Sequence, residues 1–389
     1  MYIEKDLVEI AKRENNNKRK YLVVNRLQGK HIPVSPSKAF TMFDELAELV
    51  GNCYEDERLL LVGFAETATA IGSALAIKLN TYYMQTTREN IEGVEYLYFS
   101  ESHSHATEQK LVKTDLDLVV DKIDRIVFVE DEVTTGNTIL NIIRIIEEVY
   151  NANLNKKLQF SVASLLNGMN EEAEAIYRNR NIPIHFLVKT NHDAYTKIAE
   201  QYQEDGVYYP VNVQEKNMQK NSVQDNNIIV SKHVVAGCKN ARRLIDAAEY
   251  ELACKKLFEA IMEDDEIQIQ NADNAKRILV IGTEEFMYPA MYVAKKLEEQ
   301  GNFVNCHSTT RSPIAISSAE EYPLHERYEL RSMYDKDRVT FLYDIAKYDE
   351  VFIITDAKCL ETEGVNSLIY AVCLAGNDKI HLIQWKDFL

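Results

Sequence analysis

Two adjacent acids, Glu130 and Asp131, stand at the end of an apolar run, Ile126-Val127-Phe128-Val129, and are followed by Thr134-Thr135-Gly136-Asn137-Thr138. That order has a chemical reading. A buried strand delivers paired carboxylates to the edge of a sheet where open α/β folds take their ligands, and such a pair can hold a divalent cation. The Thr/Gly turn then exposes backbone N–H groups and hydroxyls at the start of a helix, a set of donors suited to a phosphate dianion. Gly136 lets the backbone approach such an anion closely.

Other candidates flank this segment. Upstream, Leu60 to Gly72 reads as a strand, a turn and a helix start, with Glu66 and Thr67 at the tip of the turn. Its small residues can serve a ligand or simply pack a helix on a sheet. Thr86-Thr87-Arg88 brings a cation, and the polar stretch Phe99 to Glu108 carries His103 and His105. Imidazoles titrate near neutral pH, so this pair can move protons, supply two ligands of a metal site whose third is not apparent, or face solvent. Downstream, Gly282-Thr283-Glu284, Thr310-Arg311-Ser312 and Asp356 each follow a strand-like run, and all are expected at one sheet edge. Arg311 suits a phosphate or carboxylate and Asp356 a hydroxyl or Mg²⁺, or the group packs loops.

The elements that must position these residues alternate in type. Apolar runs at Leu59–Val62, Ile126–Val129 and Phe160–Leu165 alternate with helical patterns at Ala68–Leu79 and Thr138–Tyr150, which predicts a parallel α/β sheet. In the second of these helices Ile139, Ile142, Ile143, Ile146 and Val149 recur at three- and four-residue spacing and anchor the turn against the sheet. Residues 211–235 are rich in amides and charge and are expected to form a linker between a domain at 1–210 and a smaller Rossmann-like α/β domain at 236–389. There, Ala236–Met262 reads as helix, with strands at Ile278–Ile281, Phe303–Cys306, Val351–Thr355 and Ile380–Ile383. Pro289 just inside and Gly301 just past one pattern mark the ends of a helix. Gly29 to Pro36 reads either as a cover over a bound base or as a connector into the next helix.

With 389 residues, 46% of them hydrophobic, the chain is expected to fold as two domains. A net charge of −17 repels polyanions, which argues against nucleic-acid and lipid-surface roles. Anionic ligands must therefore be met locally, by Mg²⁺, helix N-termini and single cations such as Arg88, Lys110, Arg311 and Lys358. The six cysteines form no Cys-x-x-Cys pair, so neither a zinc site of that kind nor a disulfide framework is expected. No apolar run approaches the roughly 18 residues of a membrane span, and Met1 to Asp6 lacks a signal-peptide plan, so a cytoplasmic location is expected.

The segment Ile126 to Thr138 resembles the phosphoribosyl pyrophosphate signature of type I phosphoribosyltransferases, two acids before a Thr-Thr-Gly-x-Thr loop, with Glu132 where that signature is usually apolar. The resemblance implies that fold, and implies that Glu130 and Asp131 hold the ribose hydroxyls while Thr134, Thr135, Gly136, Asn137 and Thr138 hold the 5′-phosphate. It also implies a pyrophosphate loop at Glu66 and Thr67 with Arg88 beside it, a mobile lid carrying His103 and His105, and often a homodimer. Gly63 to Thr69, His103 to Glu108 and Glu130 to Thr138, together with Thr310-Arg311-Ser312-Pro313 and Gly282 to Pro289, are similar to a branch in which the transferase is fused to a C-terminal domain named for its Thr-Arg-Ser-Pro motif. That branch is associated with biosynthetic gene clusters of the tellurium-resistance type. The implied activity is Mg²⁺-dependent transfer between phosphoribosyl pyrophosphate and an unidentified base, with Glu130 and Asp131 also placed at the metal. Its rivals are the reverse or hydrolytic reaction and a non-catalytic sensor of phosphoribosyl pyrophosphate. A redox Rossmann enzyme is disfavoured, since no Gly-x-Gly-x-x-Gly follows the first strand of either half.

Overall fold

The computed structural model describes residues 2–14, 19–99, 109–150, 157–211, 228–267 and 275–388. The chain divides into two compact units: residues 1–2, 40–191 and 239–252 make the first, and residues 3–39, 192–238 and 253–389 the second. Each unit thus draws on separated stretches of chain.

In the first unit the all-apolar run Leu59–Gly63 is buried along its whole length and lies inside a six-stranded sheet. Its order is Ile245–Asp246, Tyr82–Gln85, Leu59–Gly63, Arg125–Val133, Gln159–Asn167, Ile184–Lys189, parallel except for the first pair. Among the five parallel strands the second in sequence lies outside the first and the third lies on its other side, so the topology reverses between Leu59–Gly63 and Arg125–Val133. In doubly wound sheets ligands bind at the carboxyl ends flanking such a reversal.

Two helices prepare that crevice. Thr69–Leu79 buries its first eight residues. It approaches the sheet through paired glycines: a Cβ on Gly72 would lie 3.0 Å from Gly63 Cα and one on Gly63 would lie 2.5 Å from Tyr83 Oη. These small residues therefore do pack helix on strand, and Tyr83 Oη donates to Thr69 O at 2.8 Å to close the contact. The helix Asn137–Tyr150 buries Ile139, Ile142, Ile143, Ile146 and, in place of the expected Val149, Tyr150. Tyr150 Oη donates to Asp117 at 2.5 Å, which gives its polar end a partner.

The second unit holds a five-stranded parallel sheet in the order Ile229–Ala236, Lys379–Lys386, Glu350–Thr355, Arg277–Gly282, Phe303–Ser308. The helices Tyr288–Glu299 and Glu363–Leu374 belong to it, the former with Pro289 in its first turn as its sequence indicates. The strand Ile229–Ala236 occupies the end of the stretch read as linker and the first residue of the stretch read as helix; its eight residues pair in register with the strand Lys379–Lys386, and residues 212–227 lie outside the described set. The helix expected from Ala236 starts at Ala247 instead. Asp246 sets that start by accepting from the N–H groups of Ala248 and Glu249, while Ala236 ends the strand Ile229–Ala236. Gly29 to Pro36 also belongs to this unit: Val34 bridges Cys306, and Lys30 is fully buried. Among the described residues no helix is long and apolar enough to cross a membrane.

Candidate functional site

At the reversal point of the first sheet the structure brings the acids and the Glu66 turn together. Thr67 Oγ1 donates to Asp131 Oδ1 at 2.7 Å, tying the turn after one strand to the acid on its neighbour. Phe64 N–H donates to Val129 O at 3.0 Å and holds the two neighbouring strands in step just before the turn. The turn itself hangs from the next strand end, for Ala65 N–H donates to Thr86 Oγ1 and Thr86 Oγ1 donates to Gln109 Oε1, both at 2.8 Å. The Ala65–Glu66 peptide is cis. Arg88 follows Thr86 and Thr87 on this side of the sheet and is half-buried.

Glu130 and Asp131 are half-buried, and both resist ionisation. Burial, reinforced by the negative charge of Asp131, pushes the Glu130 carboxyl well above its usual range. Burial likewise raises Asp131, with the Thr67 hydroxyl acting in the opposite direction. Adjacent carboxyls held in this way form a donor set that a hard divalent cation satisfies.

The Thr134–Thr138 turn is held by a contact its own sequence does not reveal. Gly136 adopts φ +71, and a Cβ there would lie 2.4 Å from Tyr177 Oη. Tyr177 is fully buried, and its hydroxyl donates to Gly136 O at 2.6 Å. The tyrosine therefore fills the space a side chain would need and fixes the turn from below. Tyr177 and Gln109 were not anticipated from the sequence, and Thr86 was named only as a neighbour of Arg88; a buried tyrosine on the charge-rich helix Glu171–Asn179 was the available signal for the first. His103 and His105 lie outside the described residues.

In the second unit the carboxyl-edge residues also converge, though into a closed network. Glu284, at φ +49, accepts from Arg311 Nε at 2.7 Å, from Arg338 at 2.8 Å and from Ser332 Oγ at 2.5 Å. Arg311 also reaches Glu285 at 3.1 Å. Lys30 Nζ donates to Glu284 O and Thr309 O from beneath, at 2.8 and 2.9 Å. Thr283 Oγ1 donates to Thr355 Oγ1, and Tyr334 Oη donates to Asp356 Oδ1 at 2.7 Å. Gly282 admits the turn that follows it, since a Cβ would meet Phe286 O at 2.7 Å. Thr310 Oγ1 accepts from Ser312 N–H at 3.2 Å. The cavity beside Thr283, Glu284 and Thr309 is about 10 Å³, room for one water at most.

Residues 7–192 match the phosphoribosyl transferase family, and residues 250–372 match the TRSP domain found C-terminal to it. The two matched stretches are similar to a phosphoribosyl transferase domain followed by a TRSP domain. Solved structures similar to part of the chain include adenine phosphoribosyltransferase from Rhodothermus marinus, 17% identical over 48% of this chain and 96% of that one, with a TM-score of 0.36. The Leishmania tarentolae adenine enzyme is 13% identical over 50% and 88%, at 0.35. A hypoxanthine phosphoribosyltransferase from Staphylococcus aureus is 14% identical over 42% and 79%, at 0.26. No curated protein matches the chain. The phosphoribosyl transferase match includes Glu66, Thr67, Arg88, both acids and the Thr134–Thr138 turn, and the TRSP match includes Gly282 to Asp356.

Proposed function

We propose that the chain binds phosphoribosyl pyrophosphate with Mg²⁺ and forms or cleaves an N-glycosidic bond in the synthesis of a nucleotide-like metabolite. The observation that carries this reading is the Thr67–Asp131 hydrogen bond, which fixes a turn and an acid pair on the two strands flanking the reversal of the sheet. In this arrangement Glu130 and Asp131 take the ribose hydroxyls and a cation, Thr134, Thr135, Gly136, Asn137 and Thr138 take the 5′-phosphate, and Glu66, Thr67 and Arg88 face the pyrophosphate. Mg²⁺, when bound, neutralises the leaving pyrophosphate. As the bond to ribose C1 lengthens the ring gains positive charge, and the acids beside it, held ionised by the bound cation, stabilise that charge. The attacking base nitrogen needs positioning more than activation; His103 and His105 are proposed to serve proton transfer there.

For the carboxyl-edge cluster of the second unit, the geometry favours a scaffold over a ligand site. Arg311 already meets two carboxylates, and the adjoining cavity has no room for an anion. Gly282, Thr283, Glu284, Thr310, Ser312 and Asp356 then hold three strand ends together.

A panel of heterocyclic bases offered with phosphoribosyl pyrophosphate, read by pyrophosphate release, tests the function. Release that requires a particular base supports transfer. Binding without release under any condition contradicts it and marks a sensor.

A further inference from the structure

The amino edge of the five-stranded sheet in the second unit carries a different polar assembly, at the opposite strand ends from Gly282 and Thr355. Glu350 is 1% exposed and accepts from Lys379 Nζ at 2.8 Å, from Lys276, and from His381 Nε2 at 3.1 Å. His381 Nδ1 lies 2.8 Å from Ser231 Oγ, which lies 2.7 Å from His233 Nε2. His233 Nδ1 in turn lies 2.6 Å from Asp264 Oδ2. The strands explain the alignment, because Ser231 pairs directly with His381 and His233 follows two residues later on the same face.

The hydrogen count fixes what this chain requires. Glu350, held by two lysines, is an ionised acceptor, so His381 Nε2 carries the proton and Nδ1 accepts from Ser231. Ser231 Oγ then accepts from His233 Nε2–H, and His233 Nδ1 is left with a lone pair facing a carboxylate oxygen. Four links join the two carboxylates, while two neutral imidazoles and one hydroxyl bring only three protons. A positive species must complete the Asp264 end.

Two species can do so, a proton shared across the 2.6 Å contact or a metal cation, and the third donor offered by Glu266 is what points to the cation. A proton between His233 and Asp264 is complete with those two groups. Here one oxygen each of Asp264 and Glu266 and one nitrogen of His233 lie within 4.8 Å of one another. Asp264 is held in place, because its Oδ1 accepts from Glu266 N–H at 2.9 Å. His233 is 8% exposed, whereas Glu266 faces solvent. One imidazole nitrogen with two carboxylates is a donor set for a borderline divalent ion such as Zn²⁺, with further positions open to water. The remaining imidazole N–H donates to Ser231, the outer-layer contact that orients metal-bound histidines.

We infer that His233, Asp264 and Glu266 form a transition-metal site of the Zn²⁺ class, oriented by the Ser231–His381–Glu350 relay. Each of these residues belongs to the second unit.

The test is calorimetric titration of Zn²⁺ into the chelator-treated full chain carrying Glu130→Gln and Asp131→Asn, which removes the other acid pair. One equivalent binds, with proton release into the buffer. His233→Asn abolishes binding, Glu266→Gln weakens it about 10-fold or more, and Ser231→Ala weakens it about 10-fold through the outer layer. Glu266 is exposed, so its substitution reads the ligand with the fold retained, which thermal melting confirms. Absence of Zn²⁺ binding overturns the site, as does equal affinity in the His233→Asn and Glu266→Gln variants; in either case the relay holds a proton.

Discussion

The Thr67 hydroxyl donates to Asp131 Oδ1 at 2.7 Å across the two strands where the first sheet reverses direction. One bond thereby sets both the tip of a turn and the orientation and proton affinity of an acid. Removing it acts on both.

Thr67→Val leaves Asp131 without the donor that lowers its pKa, so the Asp131 carboxyl rises further. The acid limb of kcat/KM moves to higher pH, and kcat/KM at neutral pH falls roughly 10- to 100-fold, the cost of about 1.5–3 kcal/mol for a hydrogen bond to a charged group. A pH–rate profile checks the direction.

Gly136→Ala places a methyl against Tyr177 at a positive φ, and costs roughly 1–3 kcal/mol along with most of the phosphate affinity. Tyr177→Phe keeps the ring and removes only the donor to Gly136 O, so the loss is smaller, roughly 3- to 10-fold in phosphoribosyl pyrophosphate affinity or about 1 kcal/mol. Titration of both variants separates steric from hydrogen-bond effects.

Glu130→Gln makes the ligand-free protein more stable at pH 7. The folded-state carboxyl is raised, so wild type carries a destabilising term absent below about pH 4 that grows as pH rises. A Tm increase of about 2–4 °C per kcal/mol relieved is expected at neutral pH, shrinking to nothing in acid.

Glu350→Gln does the reverse. Burial alone raises this carboxyl, but His381, Lys276 and Lys379 override it and bring it down to about 2. The stability it contributes is present above about pH 4.5 and lost as pH falls toward 2. The variant loses about 1–3 kcal/mol at pH 7, discounted for the partial exposure of both lysines, and its deficit narrows in acid. Thermal melts across pH check the convergence.

The first sheet was legible because Leu59–Gly63 and Ile126–Val129 are short apolar runs ending in turn chemistry, and each is followed by a helix with apolar residues at helical spacing. The position of the Thr134–Thr138 turn was legible for the same reason, since local order sets where the strand ends and the helix begins. What supports the turn was not, since Tyr177 reaches Gly136 across 41 positions of sequence. The expected linker hid the strand Ile229–Ala236 because it is an edge strand of mixed polarity, its alternate positions facing solvent or carrying Ser231 and His233. For Arg311 the sequence left a ligand site and loop packing open, and the fold adds what local order does not carry, the carboxylates of Glu284 and Glu285 against its guanidinium.

The central claim rests on Glu130 and Asp131 as the acids that hold phosphoribosyl pyrophosphate with Mg²⁺, and its most direct test is isothermal titration of that ligand with and without Mg²⁺, into wild type and the Glu130→Gln/Asp131→Asn variant. The account predicts Mg²⁺-dependent binding to the wild type and its loss in the variant with the fold retained. Absence of binding to the wild type, or equal binding to the variant, contradicts it.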